Sequence, residues 1–344
     1  MTCDPRWYEA DSRFIPGHYQ PAALIDLALS RDIDSHRLLR GTGLFYDDIA
    51  AGTAQLSAQQ FFSLIDNAQR LLAADDSSFL FGQRLLPGHY GPASHALQQA
   101  QTLHQALETV IHYRALLSPL LTPRLLLDEH YAYVYWLDSC GAQGQLRFML
   151  EASMTAIKSM TQWLSGERLP WQCSFSHAEP RYVEQYWVHL GEHTQFGGQL
   201  DLMRIPREYL TRPWPNASAT ARQVALQQSQ AQVQALGFSA SLLDRLYVYL
   251  RDNARQCPSL EQTAAHFGMS QATLKRKLNK HGTHFQAQQD QARKHVALYL
   301  YQIKGLSNEA VAEQLNFNDP ANFRRALKRW TGCTPNLIRQ LLRV

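Results

Sequence analysis

Ser259-Leu-Glu-Gln-Thr-Ala-Ala-His-Phe-Gly-Met-Ser-Gln-Ala-Thr-Leu-Lys-Arg-Lys-Leu278 decides the fold of the last third of this chain, because it reads as helix, tight turn, helix. Ser259 is placed to cap the first helix, and Gln262, three residues on, completes a capping box. Ala264 and Ala265 are small enough to let a second helix approach, and Phe267 closes the apolar face. Gly268 supplies the turn, since helices commonly end on a residue that tolerates positive φ. Ser270 caps the second helix, in which Leu274 and Leu278, four apart, point inward. Gln271, Ala272, Lys275, Arg276 and Asn279 fall on the opposite face. A short helix with two buried leucines and a basic outer face suits insertion into a DNA major groove.

The pattern returns at Ser307-Asn-Glu-Ala-Val-Ala-Glu-Gln-Leu-Asn-Phe-Asn-Asp-Pro-Ala-Asn-Phe-Arg-Arg-Ala-Leu327. Ala312 matches Ala264, Leu315 matches Phe267, and Asn316 matches Gly268. Asn is the other residue that tolerates the left-handed turn. After one extra residue, Asp319 caps and Pro320 takes the first helical position, where its missing N–H is not needed. Phe323, Leu327 and Trp330 form the expected buried face, while Asn322, Arg325 and Arg329 lie on another. Two such units in tandem are far more specific than one.

At 344 residues the chain exceeds one core of ordinary size, so two domains are expected. Hydrophobic residues make up 45% and charged residues 18%, the composition of a soluble globular protein. No run reaches the roughly 18 apolar residues of a membrane span. The start, Met-Thr-Cys-Asp-Pro-Arg-Trp, lacks the basic-then-apolar order of a signal peptide. Cys3, Cys140, Cys173, Cys257 and Cys333 are scattered without a Cys-x-x-Cys, which fits reduced cytosolic thiols rather than disulfides or zinc. Net charge is +4, but it is unevenly spread. Residues 238–344 hold 16 basic and 7 acidic residues, a net +9, whereas residues 1–237 are at −5. Such asymmetry is expected when one domain meets phosphates and the other does not.

Taken in order, residues 1–20 are polar and proline-interrupted and read as a loosely docked tail. Helical spacing follows in 21–30, after Asp34, from Ala58 to Ala73 behind the cap Ser57, and from Leu103 to Leu117. The period then changes: Arg124 to Leu137 reads as two strands around Asp128-Glu129-His130, with Tyr131, Tyr133 and Tyr135 on one side and Ala132, Val134 and Trp136 on the other. A long helix is expected from Gln145 to Leu164, a strand from Trp171 to Ser176, a helix from Pro180 to Leu190, and short strands at 194–196 and 201–205. The expected architecture is an α+β domain over 1–212, a partly helical linker over 213–237, and an all-α domain over 238–344. In the last, a helix from about His284 to Ile303 joins the two helix-turn-helix units. Such a rod fixes their separation, and roughly 34 Å would place both in successive major grooves on one face of DNA.

Residues 238–344 resemble the AraC/XylS family of bacterial transcription regulators. The resemblance is carried by Gly282-Thr-His-Phe-Gln, Asp290-Gln-Ala-Arg293, Leu306-Ser-Asn-Glu-Ala-Val-Ala-Glu-Gln-Leu, Asn318-Asp-Pro-Ala-Asn-Phe-Arg-Arg-Ala-Leu-Lys-Arg-Trp-Thr-Gly and Thr334-Pro-Asn-Leu-Ile-Arg339. Asn316 departs from the glycine usual in the family. The first half is more loosely similar to the arabinose-binding-type domain of the subgroup that includes ornithine-utilisation regulators, through Ser94 to Tyr113, Phe175-Ser-His-Ala-Glu-Pro, Phe196-Gly-Gly and Pro213-Trp-Pro. The resemblance implies a cytoplasmic bacterial regulator, more often an activator, that dimerises, meets RNA polymerase at promoter DNA and answers to a small effector. It implies no cofactor. Carried over by position, the base-reading candidates are Ala272, Lys275 and Arg276, then Ala321, Asn322 and Arg325. Arg to guanine and Asn to adenine are the favoured two-pronged pairings. Gln271, Lys277, Asn279, Lys280, Arg324, Lys328 and Arg329 are the expected phosphate contacts, which position without specifying.

Three further readings compete. Arg293 either meets phosphate or pairs with Asp290, three residues before it. His177, His189 and His193 invite a metal, but no His-Glu-x-x-His exists, and Gly191 lies between the last two, so no metal site is expected. No Gly-x-Ser-x-Gly, P-loop or dinucleotide fingerprint occurs, which argues against an enzyme. Tyr131, Tyr133, Tyr135, Trp136, Trp163 and Trp171, with Tyr186 and Trp187 nearby in composition, serve either as the core of the first domain or as the lining of an effector pocket. A pocket of that composition favours an apolar or amphipathic ligand. The alternative is a regulator that needs no effector, its first domain only dimerising or binding a protein.

Overall fold

The computed structural model describes residues 7–335 and Ile338. It divides into two units, residues 1–241 and 242–344. Cys3, Asn336, Leu337 and Arg339, named above, lie outside the described residues.

The first unit opens with β1 (Arg13–Pro16), α1 (Gln20–Leu29), α2 (Ser35–Leu39), α3 (Tyr46–Ala50), β2 (Gln55–Ser57) and α4 (Ala58–Leu72). The expected loose tail is corrected from Trp7 onward. Tyr8 is fully buried and its hydroxyl donates to the Pro119 carbonyl at 3.1 Å. Phe14 and Ile15 are buried as well, and β1 pairs antiparallel with β2. Four residues are too few for a two-residue period to show in sequence, and the partner strand lies about forty residues on. The cap on α4 is as expected: Ser57 Oγ accepts from Gln60 N, and the Gln60 side chain accepts from Ser57 N.

Next come α5 (Ser77–Leu85), α6 (Pro92–Gln98), α7 (Leu103–His112), α8 (Arg114–Leu117), β3 (Leu121–Leu127), β4 (Tyr131–Asp138), α9 (Leu146–Ser165), β5 (Gln172–Ser174), α10 (Val183–Leu190) and β6 (Leu202–Pro206). The strands form one antiparallel sheet in the order β3-β4-β6-β5. The hairpin turns where the sequence places it, with Asp128 accepting from the backbone N–H groups of His130 and Tyr131. The strand expected at 194–196 is a single bridge, Ser174 to Gln195. Helix α9 packs hard on α5 at Gly82, where a Cβ would lie 2.5 Å from the Ala152 carbonyl. Beside this crossing Glu151, 2% exposed, ties three helices together. It accepts from Ser78 Oγ at 2.6 Å, Arg147 Nε at 3.0 Å, Tyr182 Oη at 3.2 Å and, at still closer range, Tyr186 Oη. A buried carboxylate is tolerated only when so paired.

The segment expected as a linker contains α11 (Ala219–Leu236). It is docked within the first unit, with Ala225, Ser229 and Val233 buried. Arg222 Nε donates to Gln105 Oε1 on α7 at 3.1 Å, and Tyr113 Oη donates to the Leu226 carbonyl at 3.1 Å. That bond sits where the helix expected over 103–117 breaks into α7 and α8. The second unit is helical throughout its described residues: α12 (Leu242–Asp252), α13 (Leu260–His266), α14 (Gln271–Lys280), α15 (Phe285–Gln302), α16 (Asn308–Gln314) and α17 (Pro320–Thr331). The overall class is therefore α+β followed by all-α. Phe238 packs with Tyr8 and Phe14, so residues 238–241 belong structurally to the first unit.

Candidate nucleic-acid interface

Both helix-turn-helix units open on a serine cap and close on the same backbone bond, and the first adds a reciprocal capping box. In the first, Ser259 Oγ accepts from Gln262 N at 3.2 Å while Gln262 Oε1 accepts from Ser259 N at 2.8 Å. Helix α13 ends at Gly268, φ +66°, and Met269 N donates back to the Ala264 carbonyl at 3.0 Å. In the second, Ser307 Oγ accepts from Ala310 N at 3.2 Å. Helix α16 ends at Asn316, φ +59°, and Phe317 N donates back to the Ala312 carbonyl at 2.9 Å. The asparagine thus takes the same left-handed turn as the glycine, and the departure from the family pattern changes nothing in the backbone.

Each turn launches a reading helix. Ser270 Oγ caps α14 by accepting from Thr273 N at 3.1 Å, and Asp319 caps α17 by accepting from Ala321 N at 2.9 Å, with Pro320 at the first helical position. Leu274 and Leu278 anchor α14, while Phe323, Ala326 and Leu327 anchor α17. Trp330 is only half-buried, because its Nε1 reaches the partly exposed Asp290 carboxylate at 2.9 Å. Ala265 is exposed and Ala264 buried, so one alanine of the expected pair carries the close approach.

The outer faces carry the candidate contacts. Gln271, Ala272, Lys275, Arg276, Asn279 and Lys280 are exposed on α14, and Lys277 is half-buried. On α17, Asn322, Arg324, Arg325, Lys328 and Arg329 are exposed and Ala321 is half-buried. Arg325 donates to Asn322 Oδ1, so two of the three base-reading candidates of the second helix orient one another before any DNA arrives. With Asp290 and Arg293 they line a groove of about 460 Å³ beside α15.

Two residues of α15 do more than the sequence shows. Of the two readings of Arg293, the pair with Asp290 is not formed. Arg293, 8% exposed, turns inward instead. It donates to Cys257 Sγ and to the Leu315 carbonyl, each at 2.7 Å, and lies over the rings of Phe317 and Trp330. Only a planar fork with several donors can join the segment before α13 to the turn after α16 in this way. Asp290 faces outward to Arg329, whose Nε and Nη2 donate at 2.9 and 2.8 Å. Partial burial pushes the Asp290 carboxyl up. The bonds from Arg329, Trp330 and Gln286 outweigh burial and hold it below the ordinary carboxylate range. Arg329, expected on phosphate, thus also anchors its helix to α15. The signal was present in Asp290-Gln-Ala-Arg293, but which partner each residue takes depends on a helix some forty residues away.

The aromatic set of the first unit is dispersed. Trp171 is buried and donates to Thr161 Oγ1 at 3.1 Å. Tyr133 is buried and donates to Asp128 at 2.7 Å, Tyr131 stacks under Arg204, and Tyr135 is half-buried on the same strand. Trp163 is 63% exposed on α9. Trp136 lines a cavity. Among the described residues no group of three or more His, Cys, Asp or Glu is placed to hold a metal ion, and no helix is long and apolar enough to cross a membrane.

Comparison with known proteins agrees with both halves. Residues 33–214 match the N-terminal arabinose-binding domain of AraC transcription regulators, and residues 263–340 match a helix-turn-helix domain. The chain is 28% identical over 319 residues to the ornithine utilization regulator of Pseudomonas aeruginosa, covering 92% of this chain and 94% of that one. It is 24% identical to an uncharacterized HTH-type transcriptional regulator of Mycobacterium bovis, with the same coverage. Its fold was also compared with the crystal structure of the transcriptional regulator CdpR from Pseudomonas aeruginosa: TM-score 0.41, 20% identity, 93% of this chain and 98% of that chain. A double helix-turn-helix unit preceded by an arabinose-binding-type domain, matched over more than half its length, places this chain in the AraC family of transcription regulators.

Proposed function

We propose that this regulator binds a specific double-stranded promoter site through both reading helices and acts as an effector-controlled activator. The observation that carries the reading is the duplication. Two turns closed by the same backbone bond each launch a capped helix with an exposed polar face rich in Lys and Arg. Ala272, Lys275 and Arg276, with Ala321, Asn322 and Arg325, read bases. Gln271, Lys277, Asn279, Lys280, Arg324, Lys328 and Arg329 hold phosphates, Arg329 by its face not occupied by Asp290. The net charge of +9 over residues 238–344 supplies the electrostatic attraction, so affinity falls steeply with salt. The protein works in the cytoplasm as a homodimer and engages RNA polymerase at its promoters. Its first unit takes an apolar or amphipathic effector.

The test is selection of binding sites from random duplex DNA with the full-length chain, followed by transcription with purified RNA polymerase. A site with two conserved blocks about one helical turn apart is the expected result. Loss of all sequence preference overturns DNA specificity. Repression at every selected site overturns the activator assignment. The name of the Pseudomonas relative makes ornithine one probe for effector response, alongside neutral aromatic compounds. DNA binding and transcription indifferent to every compound tested overturn effector control and leave a regulator whose first unit only dimerises or binds protein.

A further inference from the structure

A cavity of about 30 Å³ lies in the first unit where α1, α4, α5 and α9 meet the start of β3. Its walls are mainly apolar: Phe61, Phe81 and Trp136 supply rings, and Leu85, Met149 and Ile157 supply alkyl surface. No charged side chain of the described residues lines it. One polar group is out of balance there. Gln20, the first residue of α1, is 3% exposed. Its Nε2 donates to the Leu116 carbonyl at 2.6 Å, which fixes the amide. Its Oε1 is shielded from solvent and receives no hydrogen bond from the described protein. The hydroxyl of Ser118, also on the wall, is committed to the Leu121 carbonyl at 2.6 Å. A buried carbonyl without a donor is unfavourable, and such groups are normally satisfied by protein, water or ligand.

We propose that this cavity is the effector site, and that it takes a small, neutral, largely apolar molecule whose single O–H or N–H is accepted by Gln20 Oε1. The proposal rests on the reading of the first unit as an effector-binding domain. Charge decides the class first: a carboxylate or ammonium entering an apolar wall with no counter-charge loses its hydration without compensation. Donor count decides next. A sugar brings several hydroxyls, and besides the hydroxyls of Ser118 and Ser153 the wall offers one unmatched amide oxygen of fixed orientation. Size sets a condition. A cavity of about 30 Å³ holds one or two water-sized groups as it stands. A ring enters only if the wall repacks, and Met149, an unbranched thioether, adapts most readily. Occupancy therefore changes how α9 sits against α1, α4 and α5, a change that bound water alone does not produce.

The test uses the full-length chain and four probes in calorimetry and thermal shift: phenol, toluene, benzoate and ornithine. Phenol and toluene share a shape and differ in the donor. Phenol is expected to bind about tenfold more tightly than toluene, the effect of one hydrogen bond to a buried acceptor. Benzoate and ornithine are expected to give no shift. Gln20→Met keeps the side-chain volume and removes the acceptor, and it is expected to bring phenol down to the level of toluene. The wild-type comparison of phenol with toluene decides the matter even if that variant does not fold. Phenol binding no tighter than toluene, or not at all, overturns the proposal. A shift with benzoate or ornithine that survives Gln20→Met overturns this site while leaving effector control intact. DNA binding and transcription that ignore a probe bound in the cavity overturn effector control through this site.

Discussion

Arg329 of the second reading helix holds Asp290 of the connecting helix through its Nε and Nη2, at 2.9 and 2.8 Å, across thirty-nine residues of sequence. The carboxylate also receives Trp330 Nε1 and Gln286 Nε2, each at 2.9 Å. Helix α17 is therefore locked at its far end to the rod that carries it, while Arg325, one turn earlier, is left to face outward.

Breaking that lock is expected to loosen the second unit. Asp290 is 19% exposed and Arg329 59%, so the pair is partly screened, and Asp290→Ala is expected to lower unfolding stability by about 1–2 kcal/mol. Because the folded carboxyl titrates below its ordinary range, its contribution is present above pH ~4 and disappears as pH falls through the folded value. Urea denaturation at pH 7 and pH 3 measures both. An equal difference between wild type and variant at the two pH values would show that the charge contributes nothing.

Base reading and phosphate contact separate by specificity. Arg276→Ala and Arg325→Ala are each expected to cost about 1–3 kcal/mol on the selected site and little on random DNA. Arg324→Ala is expected to weaken both equally and to reduce the salt slope by about one ion. Titrations on both DNAs at several salt concentrations distinguish the two, and equal losses for Arg276→Ala would move it to the phosphate class.

Acid sensitivity of the second unit is expected from His295. Burial holds its imidazole down, with the neighbouring Lys294 adding to the effect, to about 3, and its Nδ1 lies 2.9 Å from Tyr247 Oη. The folded pKa is below the unfolded one, so the unfolded state takes the proton first. Stability is full above pH ~6.5 and falls as pH drops toward 3, by at most ~1.4 kcal/mol per unit. His295→Gln is expected to flatten the pH dependence over this window by one proton. The same slope in both proteins would refute it.

Packing of α5 on α9 depends on Gly82. A Cβ there would meet the Ala152 carbonyl at 2.5 Å and Thr155 Cβ at 2.8 Å, both on a rigid helix. Gly82→Ala is expected to cost about 2–4 kcal/mol, since the helices must separate. Gly144→Ala meets nothing within 4 Å and serves as the neutral control. Thermal unfolding of the two variants decides; matched melting temperatures would mean the contact yields freely.

Where the sequence is silent, the missing information lies in a distant partner. Tyr8 belongs to the core because its hydroxyl reaches the Pro119 carbonyl, and no pattern between residues 1 and 20 says so. Trp163 and Trp171 look alike as residue types, yet one is 63% exposed and the other buried. The segment 213–237 has the composition of a linker, and contacts such as the bonds from Arg222 to Gln105 and from Tyr113 to Leu226, with Ala225, Ser229 and Val233 buried, make it a docked helix. In each case a polar or aromatic residue takes its role from what packs against it.

What the sequence determined by itself is local. Ser259 with Gln262, Ser270, Ser307 and Asp319 cap helices, and Gly268 and Asn316 turn them, because the groups they satisfy are within two to five residues along the chain. Leucines four apart settle which face is buried, so the outward face of each reading helix follows from arithmetic. Only the tertiary structure decided that Arg293 abandons Asp290 for the Leu315 carbonyl, that Arg329 takes its place, and that Gln20 leaves an unmatched oxygen at an apolar cavity. These partners are 22 to 96 residues apart. No periodicity links positions so far separated, and their choice is made by the requirement that buried polar groups and charges find a match in whatever the fold brings to them.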